Sequence, residues 1–548
     1  MRRSRPISLL LTAGTLLLLL IGLFFLTHPH TATDDAAVLT DDEPPLRRTL
    51  SAPAATSPDT DDTLVQSASV AELTQKLSTR LVNRAVRPHE AILIFKDADG
   101  YRRFLARAAQ SGVIVTGQID PLNILRVRIR AYDTFAAELV ARAADYGGVS
   151  ANAYIEIPPK PSSRITGRQI AVGNTLLTTL GVSAGTDTSA WGRGITIAVL
   201  DGGTLPDPTL GARLRYLDIG LGYSGTGEAG LHGTAVASLA AGSAADAPGI
   251  SPAATILSIR VLDTDEKSDV FTVVQGIVAA VDAGAQIINL SLGGYSTSDA
   301  LARTITYAQD HGVVIVAAAG NDGATRLTWP AADPRVVSVG ATDATGSQAS
   351  FSNSGVQLAL TAPGIGLQTA GLNNERILFS GTSASAPVIS GALAALMSQT
   401  PGLTAAQAVQ ILQTHADDGG AAGADPDYGS GVLDLGWVLS RNDPDRVDTA
   451  VSGYHYDSDS GALEVIVQNR SGQAAINLTL IANLNGTITN YLIPAVPPGQ
   501  SGTVILPIDA ATAASPITLR TRLDNPPSVT DAVPANNTRA SLIDLSGR

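Results

Sequence analysis

Apolar and polar positions change rhythm several times along this chain, and each change marks a different kind of structure. Residues 7–26 form a largely apolar run without charges behind Arg2, Arg3 and Arg5. Twenty residues of helix span about 30 Å, the thickness of a bilayer core. The basic flank predicts a membrane anchor with the rest of the chain outside the cytoplasm. A cleaved secretory signal over 1–27 is the alternative, and both readings make the protein exported. Residues 28–84 carry few large apolar side chains and much Asp, Thr, Ser and Pro, which predicts a disordered stalk. Only the stretch 70–87 reads as a short helix.

Over 85–160, short apolar strands alternate with helical spacing. Strands are expected at 91–95, 113–115, 124–129 and 153–157, and helices at 101–110 and 135–146. The order β-α-β-β-α-β is that of the ferredoxin-like split βαβ unit. Over 165–443, near-continuous apolar strands (195–200, 255–261, 287–291, 313–318, 336–340) alternate with helices (270–283, 298–311, 386–399). Strands buried on both faces read in that way, so a parallel sheet between helical layers is expected, a three-layer α/β fold. Past Asp443-Pro444 the helical spacing ends. Alternating strands at 462–469, 475–484, 488–493, 502–508 and 517–523 predict a β-sandwich over 444–548.

Composition narrows the function classes. The net charge of −13 argues against nucleic acid as a partner, because phosphate binding needs a basic face. There is no cysteine, which excludes thiol nucleophiles, zinc–thiolate sites and disulfide staples.

Candidate chemistry sits in four separated segments. Asp201 closes the apolar strand 195–200. His232 opens His232-Gly233-Thr234-Ala235. Ser383 lies in Ser380-Gly381-Thr382-Ser383-Ala384-Ser385-Ala386-Pro387, a loop entering a helix. Asn321 lies in Ala319-Gly320-Asn321-Asp322. A serine hydroxyl is a weak nucleophile near neutral pH. It needs a base within hydrogen-bond reach, and that base needs a carboxylate to fix its tautomer. A helix start and a side-chain amide suit a developing oxyanion. Each segment alone is weak evidence. Their joint occurrence, in the order Asp, His, Ser, is far more specific.

Together these segments resemble the subtilisin-like (subtilase, peptidase S8) serine peptidases, over about residues 188–439. The resemblance implies a serine endopeptidase with Asp201, His232 and Ser383 as its triad. It implies Asn321 as the oxyanion amide, with the Ser383 backbone N–H as co-donor. Ser291-Leu292-Gly293-Gly294 matches the segment that pairs with substrate backbone. The ferredoxin-like unit sits where subtilases carry a propeptide, a folding aid and inhibitor whose tail lies in the cleft, with self-cleavage expected within 158–164. The C-terminal part is similar to immunoglobulin-like adhesion modules of the CARDB type. Implied partners are protein or peptide substrates, the chain's own propeptide, and a membrane through the N-terminal run. No cofactor and no metal ligand is required, although many relatives bind calcium. The loop 242–249 lacks the Asn-rich pattern of those calcium sites, so structural calcium stays open.

Some positions depart from the family pattern. Gly202 stands where Ser or Thr is usual, and a lost hydrogen bond is expected there. Ala235 replaces a second histidine common in the family. Ser383-Ala384-Ser385-Ala386-Pro387 varies the usual serine motif. Thr328 occupies a pocket-floor position that is often glycine, which predicts a shallow pocket for small or medium apolar residues. These departures leave a rival reading, a degenerate protease working as a binding or adhesion module. Gly220 to Gly225 matches a dinucleotide fingerprint only by letter, because no helix is expected after it and the Rossmann context then fails.

Overall fold

The computed structural model describes residues 69–161, 169–223, 227–457, 460–509, 512 and 516–543. The expected membrane run lies outside them, and among the described residues no helix is long and apolar enough to cross a membrane. All described residues belong to one compact unit of the chain.

The expected stalk gives way to packed structure before residue 84. Helix α1 (Val70–Arg80) is capped by the Ser69 side chain, which accepts from Glu72 N–H. Leu73, Leu77 and Leu81, four residues apart, share one buried face. That spacing overrides the polar composition around it. Strand β1 (Val86–Phe95), α2 (Ala98–Arg107), β2 (Val113–Ile119), β3 (Ile124–Ile129), α3 (Tyr132–Ala141) and β4 (Tyr146–Glu156) follow. Their sheet is antiparallel, in the order β4-β1-β3-β2. Helix α3 stops well before residue 146. Gly147 and Gly148 are poor helix formers, and the backbone there pairs with β1 instead.

The apolar run 91–95 has a physical explanation in its two faces. Ala91, Leu93 and Phe95 pack under α1, α2 and α3. Ile92 and Ile94 point the other way, into a cluster shared with the larger domain. A strand buried on both sides has no polar face to alternate with.

The larger domain contains β5 (Thr196–Asp201), β6 (Leu214–Leu217), β7 (Thr255–Arg260), β8 (Lys267–Asp269), β9 (Ile287–Leu290), β10 (Val314–Ala318), β11 (Val337–Thr342), β12 (Leu360–Pro363), β13 (Ala416–Asp417) and β14 (Val432–Leu433). Nine strands form one sheet in the order β13-β14-β12-β11-β10-β9-β5-β7-β6. All neighbours are parallel except the edge pair β13–β14. Helices α4 (Gly227–Ala241) and α7 (Thr382–Gln399) cover one face, and α5 (Val270–Asp282) and α6 (Asp299–Asp310) the other. Strand β8 pairs instead with β4 and becomes the fifth strand of the small sheet. The two domains therefore share a sheet as well as an apolar cluster.

After residue 444 a sandwich of two antiparallel sheets follows, one of three strands and one of four. Two of its strands, Thr449–Asp457 and Thr538–Ile543, extend the set expected from sequence. Its Arg470 reaches into the larger domain and binds Asp434 Oδ2 at 3.0 Å and Asp417 Oδ1 at 2.6 Å.

Candidate active site

Asp201 is the last residue of β5 and is fully buried. Its Oδ1 accepts the Gly202 N–H at 2.7 Å, and both its oxygens lie 2.9 Å from His232 Nδ1. A carboxylate only accepts, so Nδ1 carries the hydrogen and Nε2 is left as the basic nitrogen. His232 is held inside α4, with the Phe379 ring edge-on at 5.3 Å.

Gly202 has a steric role. A Cβ there would come within 2.4 Å of the Ala229 carbonyl oxygen on α4. A Cβ on Gly233 would meet the Gly203 oxygen at 2.2 Å. Both glycines let α4 approach the end of β5 closely enough for His232 to reach Asp201.

Ser383 is the second residue of α7, which starts at Thr382, four residues before the helix start expected from sequence. N–H groups in a first helical turn have no partner within the helix. Pro387, four residues on, has no N–H to give the Ser383 carbonyl. Ser291 Oγ supplies that bond at 3.1 Å, and is itself bonded to Asn289 Nδ2 at 3.0 Å. Ser390 Oγ donates to Asn289 Oδ1 at 2.9 Å and completes a buried polar chain beneath the serine. The Ser383 hydroxyl donates to the Ser291 carbonyl at 3.4 Å, and no hydrogen bond joins it to His232 among the described residues. The fold thus joins Asp201 to His232, while the hydroxyl of Ser383 points elsewhere.

Asn321 is oriented by Thr382. Its Oδ1 accepts from Thr382 N–H at 2.9 Å and from Thr382 Oγ1 at 2.8 Å. The Nδ2 therefore faces the cleft, where it donates to the Pro159 carbonyl at 3.0 Å. The chain leaving β4 lies along the cleft. Glu156 exchanges both backbone hydrogen bonds with Gly293, at 3.0 and 2.8 Å. Gly294 pairs with Trp329 on its other side. Leu292 is buried in the core, so it serves this segment by backbone position only. Thr328 lies against Gly293, where an added Cβ would be 2.4 Å from its Oγ1.

Sequence reading missed Thr382, Asn289, Ser390 and Phe379. Asn289 carried a signal, as a lone polar side chain within an apolar strand. The loop 242–249 closes as a short hairpin, Ser243–Ala244 against Ala247–Pro248. Among the described residues no three His, Cys, Asp or Glu side chains converge on a point suited to a metal ion.

The Subtilase family matches residues 192–431. Subtilisin BL of Lederbergia lenta is 32% identical over 244 residues, covering 44% of this chain and 89% of that protein. The chain belongs to the subtilase family. A minor extracellular protease of Bacillus subtilis is 34% identical over 245 residues, covering 44% of this chain and 38% of that protein. Fervidolysin from Fervidobacterium pennivorans, a keratinolytic enzyme related to subtilisin, matches with a TM-score of 0.55 at 19% identity, covering 84% of this chain and 77% of its own. That last likeness is one of fold. As a subtilase, the protein is a serine endopeptidase acting on proteins or peptides.

Proposed function

We propose that this subtilase is an exported zymogen in which Ser383 is the nucleophile, His232 the general base, and Asp201 the group that orients His232. One observation carries the reading. The chain's own residues 156–159 occupy the cleft as a peptide would, with a carbonyl on Asn321 Nδ2. In the reaction the Ser383 hydroxyl turns from the Ser291 carbonyl toward His232. Its proton passes to His232 Nε2 as the oxygen bonds to the substrate carbonyl carbon. Asn321 Nδ2 and the Ser383 N–H receive the oxyanion. His232 then protonates the leaving amine, the C–N bond breaks, and water repeats the sequence on the acyl-enzyme. Removing a donor such as Asn321 costs about 10²–10³ in turnover.

Residues 69–159 act as prodomain and inhibitor, supported by the shared sheet and the occupied cleft. The run 7–26 anchors the chain to a membrane or serves as a cleaved signal. The C-terminal sandwich stays attached as an adhesion-type module.

The test is mass spectrometry of wild type and Ser383→Ala after exposure to a serine-directed phosphonate. The expected result is a label on Ser383 and a shortened chain in wild type only. A folded wild type with no label and no cleavage would move the protein to the rival class, a binding module on an inactive protease.

A further inference from the structure

Three bonds lie at the mouth of the cleft, and their chemistry differs. Cleaving Pro158–Pro159 or Lys160–Pro161 would expel the secondary amine of a proline, from a tertiary amide whose nitrogen is enclosed by a ring. Only Pro159–Lys160 is an ordinary peptide bond that releases a primary amine. It is also the bond whose carbonyl accepts from Asn321 Nδ2 at 3.0 Å, the position in which an oxyanion would be received.

Beyond that bond, Lys160 Nζ lies 2.9 Å from Glu228 Oε2. Glu228 is in the first turn of α4, the helix that also carries His232. The helix thus places one carboxylate on the leaving-group side of the bond, four residues ahead of the base. Both side chains of the pair are largely exposed, so the contact belongs to the rim of the cleft.

We infer that self-cleavage cuts Pro159–Lys160, and that Glu228 selects a basic residue immediately after the scissile bond, in this chain and in substrates. The inference rests on the zymogen reading above and adds the bond and the residue that reads it. In the cut, the Ser383 oxygen bonds to the Pro159 carbonyl carbon. The C–N bond to Lys160 breaks, and the proton held by His232 goes to the new Lys160 amine. Water then frees the Pro159 carboxylate.

The size of the selection follows from exposure. An exposed ion pair contributes a small increment, so the preference for Lys over Glu after the scissile bond is roughly 2–5-fold in kcat/KM. Charge reversal in place of the attraction should exceed simple removal, because like charges then face each other.

The test uses the full-length chain in three steps. First, the earliest new N-terminus in wild type is sequenced. The expected residue is Lys160. Second, self-cleavage rates are compared for wild type, Lys160→Glu, Glu228→Lys and the double exchange. Each single exchange should slow the first cut by roughly 2–5-fold, and the double exchange should restore it. Third, the matured enzyme is given two peptides that differ only in Lys or Glu after the cleaved bond. Their kcat/KM ratio should favour Lys in wild type and reverse in Glu228→Lys. A first N-terminus elsewhere, or rates and ratios indifferent to both charges, would overturn the inference while Ser383 labelling left the peptidase reading standing. Absence of both labelling and cleavage would sink that reading as well.

Discussion

Arg470 Nη1 lies 3.0 Å from Asp434 Oδ2, and both side chains are less than a tenth exposed. Arg470 belongs to the C-terminal sandwich. Asp434 caps the short helix Leu435–Ser440 of the subtilase domain by accepting from Trp437 N–H. Gln468 adds two hydrogen bonds across the same seam, to the Ala416 carbonyl and the Asp418 N–H. Breaking one partner of a buried pair leaves the other charge unmatched, at a cost of about 3–5 kcal/mol. Arg470→Met should therefore lower thermal stability strongly at pH 7. Burial pushes the Asp434 carboxyl above its usual range even with Arg470 pulling it down. A carboxyl raised in the folded state favours acid, and its contribution falls as pH rises through the folded value. The loss in Arg470→Met should thus be smaller at pH 5 than at pH 8. Calorimetry at both values checks the sign, and an equal or larger loss at pH 5 would contradict it.

Thr328 fills space beside Gly293 and donates to the carbonyls of Ala318 and Ala319, each at 3.3 Å. Thr328→Gly should deepen the pocket for the residue before the scissile bond. The ratio of kcat/KM for Phe over Ala at that position should rise about 10-fold, on the scale of one or two methylenes. Peptide pairs assayed with the mature enzyme decide this, and an unchanged ratio would place the pocket floor elsewhere.

The seam between the small N-terminal domain and the subtilase domain should also respond to acid. Arg87 binds both Asp263 and Asp269, with Arg126 at 4.0 Å from Asp269 and Lys267 on the neighbouring strand. Burial pushes the Asp263 carboxyl up, but the Arg87 guanidinium and nearby N–H groups outweigh it and hold it below the usual carboxylate value. A carboxyl lowered in the bound state contributes above its free value, near 3.9, and loses that contribution as pH falls through the bound value. Once cut as proposed, residues 69–159 should stay associated from pH 8 to 5 and loosen below about pH 4. Size-exclusion chromatography across that range reads the outcome, and release already at pH 6 would show that other groups govern the seam.

Much of this was legible from residue order. The apolar run 195–200 ended at Asp201 as a core strand should, and the strand 462–469 appeared with the bounds read for it. What escaped was set by contacts between distant segments. Leu73 and Leu77 make a helix within a polar stretch only because the sheet beneath them is apolar. The steric need for glycine at 202 stayed hidden because Ala229, whose carbonyl a Cβ there would strike, is 27 positions away. The start of α7 ahead of Pro387 depended on Ser291 replacing a bond that proline cannot make.

The face of β1 that carries Ile92 and Ile94 lies against the wall of α5 and α6, where Phe271 nests at Gly117. Were residues 69–159 released as proposed, that oily wall would meet water for the first time. Maturation would then change the enzyme's solubility along with its activity: the armed form should be the stickier one, prone to cling to itself or to greasy surfaces unless something new shields it.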